Sequence, residues 1–121
     1  MSRRHEKWAP LCLRIPPSSC RSPGTQDNYL WGIAPVNGGA DAWAVGDSVP
    51  ASTGNPLSLI EYGSATGGWQ VVPSPNPGLA NGKTVLDAIA AFGSDDVWAV
   101  GTYDGANGMR TLILQYTGGS I

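Results

Sequence analysis

The chain has 121 residues, with 17 glycines, 10 prolines and five tryptophans, and only 13% of it is charged. Its 41% apolar content excludes a disordered chain, and no apolar run is long enough for a transmembrane helix. The net charge of −2 is uneven, because five of seven basic residues fall in the first 21 positions; the acidic remainder repels phosphate, which excludes nucleic acid as its partner.

The basic head, residues 1–22, is expected to stay outside the folded part. It holds both cysteines, Cys12 and Cys20, and the single histidine, His5. No cysteine framework extends beyond it, and one histidine is too few for a His-based triad or a histidine metal cluster. The segment WAPLCLRIPP is broken by Pro10 and Arg14 before an export-type apolar core forms, so no export signal is expected in the chain as given.

From residue 29 onward the sequence reads as short strands. YLWGIAP at 29–35 is the first, followed by the turn VNGGA at 36–40. The second spans 42–47, where Trp43 and Val45 alternate with Ala44 as a strand requires. A polar loop at 48–56 leads to a third strand at 57–62. GSATGG at 63–68 then turns the chain into a fourth at 69–73, beginning at Trp69. A Pro/Asn/Gly-rich exit at 74–84 follows. The pattern starts again with strands at 85–92, 97–103 and 110–117, joined by GSD at 93–95 and a loop at 104–109.

The second set copies the first. DAWAVG at 41–46 returns as DVWAVG at 96–101, a spacing of 55. YLWGIAP corresponds to VLDAIAA at 85–91, and PLSLIEY at 56–62 to RTLILQY at 110–116. The repeated markers are Asp41, Trp43 and Gly46 against Asp96, Trp98 and Gly101, with Trp69 opening the fourth strand of the first unit. A four-stranded antiparallel unit recurring at this period is the sequence signature of a propeller blade. The expected organisation is a first blade over 23–76 and a second over 77–121 that lacks its last strand. The fold class is all-β, an incomplete β-propeller of about two blades.

DVWAVG, TLILQY and GWQVVPSPNPG together resemble the tandem blades of bacterial kelch-like β-propellers, over roughly residues 22–121. The glycine that is doubled in kelch blades is single here, at Gly46 and Gly101. The resemblance implies a non-catalytic binding or scaffold module for protein or glycan. It implies an extracytoplasmic place for the full-length parent. The alternative is part of a carbohydrate-active propeller enzyme whose catalytic residues lie in other blades.

In such a unit Trp43 and Trp98 are expected to pack between neighbouring blades, with small residues toward the axis and aromatic ones further out. Asp41 and Asp96 are expected to accept hydrogen bonds from backbone N–H groups in the turn entering the strand. Connectors alternate between the two ends of an antiparallel unit, which puts the loops 48–56, 74–84 and 104–109 at one end. That end is the candidate binding face, carrying Asp47, Ser48, Thr53, Asn55, Asn76, Asn81, Lys83, Tyr103, Asp104 and Asn107.

No nucleophile elbow, phosphate loop or dinucleotide fingerprint is present. No catalytic residue, cofactor or metal site is therefore expected. Two blades cannot close a ring of the usual 4–8. Three arrangements follow: a piece of a longer array, a ring assembled from copies through open blade faces, or collapse to a two-sheet sandwich. The first is expected, because RIPPSSCRSPG stands where a sequence like WQVVPSPNPG would belong.

Overall fold

In the computed structural model, residues 27–64, 67–78 and 82–118 are described. The predicted head, with Cys12, Cys20 and His5, lies outside them, as does Asn81. The described chain is all-β. Strands β1 (Asp27–Val36), β2 (Asp41–Val49), β3 (Leu57–Ser64) and β4 (Gly68–Val72) form one antiparallel sheet in chain order. Strands β5 (Thr84–Gly93), β6 (Asp96–Gly105) and β7 (Gly108–Tyr116) form a second, and neither sheet closes on itself. Each predicted strand is present, extended by a few residues where the alternation continues into the turns. A single 3-10 turn at Asn37–Gly39 links β1 to β2, with Asn37 and Gly38 at positive φ.

Both first strands are bulged at the same repeat position. The β1–β2 register slips between Leu30 and Gly32, and the β5–β6 register slips between Leu86 and Ala88. The slip brings the bulged backbone against the glycine of the repeated motif. A Cβ at Gly46 would overlap the Tyr29 carbonyl oxygen, and one at Gly101 would overlap that of Val85. The single glycine closing each DxWAVG motif is therefore required by the neighbouring strand.

One face of the first sheet, here the front, carries Trp43, Val45, Ile60 and Tyr62, paired across β2 and β3. It packs on the back of the second sheet, formed by Leu86, Ile89, Val97, Ala99, Leu112, Leu114 and Tyr116. The sheets lie closest along β1 and β5, where a Cβ at Gly32 would sit 3.3 Å from the Ala88 Cα. Away from that line large rings fill the space: Trp43 lies 4.9 Å from Tyr62 in its own sheet and 4.9 Å from Tyr116 in the other. Residues are thus small where the sheets converge and aromatic where they separate.

The two units are stacked in the same sense. Trp43, Val45 and Ile60 on the front of the first sheet are 4%, 0% and 0% exposed. Their register equivalents on the front of the second sheet, Trp98, Val100 and Ile113, are 38%, 41% and 64% exposed. On the backs the pattern reverses only along the first strands, with Leu30 at 45% and Leu86 at 0%, whereas Ala44, Leu59 and Glu61 on the back of the first sheet are 2%, 4% and 0% exposed. Trp43 thus lies between the units as expected, whereas Trp98 lies on an open face, because no further sheet covers the second front.

Third-strand register departs from the sequence correspondence by one residue. Val45 faces Ile60, but Val100 faces Ile113, so Tyr116 does not take the place of Tyr62. A two-residue turn, Ala106–Asn107, joins β6 and β7 and sets this register. Since side chains alternate faces, the one-residue shift moves Tyr116 to the back, against Trp43.

Candidate functional site

The predicted binding end is assembled from residues 50–56 between β2 and β3, residues 73–78 and 82–83 between β4 and β5, and the turn at Ala106–Asn107. Backbone bonds tie these segments together. The Thr84 N–H donates to the Pro56 carbonyl (2.9 Å), and the Asp104 N–H donates to the Lys83 carbonyl (2.9 Å). In return the Lys83 N–H donates to the Asp104 carboxylate (3.0 Å), closing a two-bond clamp between the inter-sheet segment and β6. Further along, the Ser58 N–H donates to Asn76 Oδ1 (2.7 Å), while the Ser58 hydroxyl meets Ser74 Oγ (2.7 Å) and donates to the Pro75 carbonyl (2.9 Å). These bonds satisfy polar groups at the start of β3 that the prolines leave without ladder partners.

The predicted site residues divide by what they do. Asp47 and Ser48 belong to β2 and are buried; Asp47 accepts the Trp31 indole N–H at 2.6 Å. Thr53 Oγ1 accepts the Asn55 N–H (3.2 Å), and Asn76 serves β3. Tyr103 lies within β6 as expected, and Asp104, expected in the loop 104–109, lies within β6 too, because β6 and β7 continue to the two-residue turn. Lys83, Thr53 and Asn107 are exposed. The end therefore offers exposed hydroxyl, amide and ammonium groups on a backbone held by its own hydrogen bonds, an arrangement suited to binding by hydrogen bonds.

At the opposite end Asp41 is held by side chains. The Tyr62 hydroxyl donates to its carboxylate at 2.6 Å and the Asn37 amide at 2.7 Å. Those bonds hold the Asp41 carboxyl below its ordinary range, and the same carboxylate raises the Tyr62 phenol. In the second unit Asp96 accepts the Trp98 indole N–H (2.9 Å) and the Gln115 amide (3.3 Å). The repeated aspartates thus take side-chain donors in place of the predicted backbone ones. Tyr62 and Asn37 escaped sequence reading, although the VNGG turn and the tyrosine ending LIEY were visible.

An apolar groove of about 330 Å³ lies on the back of the first sheet, lined by Leu30, Trp31, Gly32, Ile33, Ala44 and Trp69. The Trp69 ring covers Gly63, where a Cβ would approach it to 2.6 Å. Trp31, the bulged residue of β1, borders the groove and stacks on Tyr29 with ring centroids 6.3 Å apart. Among the described residues no three His, Cys, Asp or Glu side chains gather as a metal site, and no helix is long and apolar enough to cross a membrane. Compared with known families, curated proteins and solved structures, the chain matches no family model, no curated protein and no solved structure.

Proposed function

We propose that this chain is a non-catalytic repeat module of the β-propeller type, binding protein or glycan through the end that carries residues 50–56, 73–78, 82–83 and 106–107. One observation carries the proposal: equivalent positions are buried in one unit and open in the other, as expected for blades stacked in one sense. Convergence of the sheets along their first strands, β1 and β5, adds support, since first strands line the axis of a propeller. The long polar connectors gather at one end, where ligand sites of repeat proteins concentrate.

The test is retention of the full chain on immobilised glycans, with release of aglycone from aryl glycosides followed in parallel. Retention that falls at least tenfold in a Lys83→Ala/Asn107→Ala variant of unchanged circular dichroism is the expected result. Glycoside hydrolysis by the purified chain would overturn the non-catalytic reading. Failure to bind any glycan would remove the carbohydrate version.

A further inference from the structure

The back of the first sheet is buried along its middle and open at its sides. Ala44, Leu59 and Glu61 are 2%, 4% and 0% exposed, whereas Leu30, Ile33 and Val71, which flank them across the strands, are 45%, 61% and 51% exposed. The second sheet does not account for this, because it packs on the front. A narrow dry strip between open flanks is the footprint of one extended segment laid along β2 and β3. At its centre stands a carboxylate: Glu61 is fully buried and has a partner. A carboxylate in such a place is stabilised by a cation and by hydrogen bonds. The basic side chains among the described residues, Lys83 and Arg110, are both exposed.

We infer that the apolar part of the basic head, residues 8–17, lies across this strip with the Arg14 guanidinium on the Glu61 carboxylate. The two surfaces match in composition: WAPLCLRIPP is apolar but for Arg14, as the strip is apolar but for Glu61. Arginine suits the role because its planar fork donates to both carboxylate oxygens at once. Length allows the contact. Glu61 lies roughly 20 Å from Asp27, two strands across and about five residues along, and the chain from Arg14 to Asp27 can span roughly 40 Å. On the repeat-module reading above, on which this role rests, the head is a cap: it covers the back of the first unit and leaves the second-sheet front as the open end. Capping of a terminal unit is a general need of repeat arrays.

Urea unfolding of the full chain tests the pairing through a double-mutant cycle of Arg14→Met and Glu61→Gln. Arg14→Met strands the buried carboxylate and is expected to lower the folding equilibrium constant at least about tenfold. In the Glu61→Gln chain, where that charge is gone, the same change is expected to lower it less than about threefold. Equal losses in both backgrounds overturn the inference, and so does a coupling that falls on Arg21→Met instead. A second measurement leaves both positions unchanged. A nitroxide on Cys12 of the Cys20→Ser chain is expected to broaden the amides of Leu59 and Glu61 and to spare those of Trp98 and Ile113. Equal broadening of the two sets overturns the inference as well. Glycan retention is followed alongside: absent coupling with retention kept sinks the cap and leaves the binding reading standing, and coupling without retention does the reverse.

Discussion

Gly46 and Gly101 are where the repeat is most sharply constrained. Each sits opposite a bulge, and a methyl group there would meet a carbonyl oxygen of the adjoining strand. Backbone cannot yield as a flexible side chain can, so Gly46→Ala or Gly101→Ala should each cost about 1–3 kcal/mol, read as a lower urea midpoint at unchanged m. Thr84 is the opposite case. It is 1% exposed and its hydroxyl has no hydrogen-bond partner among the described residues, so Thr84→Val should be neutral or stabilising by up to about 1 kcal/mol.

The Asp41–Tyr62 bond gives a pH dependence of defined sign. Tyr62 and Asn37 lower the folded Asp41 carboxyl below its ordinary 3.8, so its contribution is present above that value and lost as pH falls through the folded one. Asp41 raises the folded Tyr62 phenol above its ordinary 10.0, so that contribution is present below 10.0 and lost as pH rises through the folded value. Tyr62→Phe should move the Asp41 carboxyl titration back up toward its ordinary range, followed by carbon NMR. An unmoved titration would show that the phenol does not hold the carboxylate.

At the scale of elements, strand existence and order were legible because apolar alternation is interrupted by Gly, Asn and Pro at each turn. Bulges were not, because Trp31 and Asp87 share no chemistry that marks an extra residue. Nor was the one-residue shift of β7, which depends on turn geometry at Ala106–Asn107 rather than on the composition of RTLILQY. That shift decides where Tyr116 goes, and with it how Trp43 is enclosed. The common end of the long connectors followed from strand parity alone. Which of its side chains are spent on the fold did not, as Asn76 and Asp104 show.

Identical residues of the motif should differ in cost because their faces differ. Trp43→Ala removes a ring held between Tyr62 and Tyr116 and should destabilise by about 3–5 kcal/mol. Trp98→Ala, at a ring 38% exposed, should cost less than about 1 kcal/mol. Thermal unfolding of the two variants checks the contrast, and equal losses would place both indoles in one core.

For the whole molecule, the sense of stacking decides what the chain is. A two-sheet sandwich that shields its apolar faces from water would bring the fronts together, Trp43 toward Trp98. Stacking in one sense leaves the front of the second sheet open, consistent with a segment of a larger array. The most direct measurement is a nuclear Overhauser spectrum of the full chain with aromatic assignments. Cross-peaks from the Trp43 indole to the Tyr116 ring, with none to the Trp98 indole, are the expected result; cross-peaks between the two indoles would contradict it.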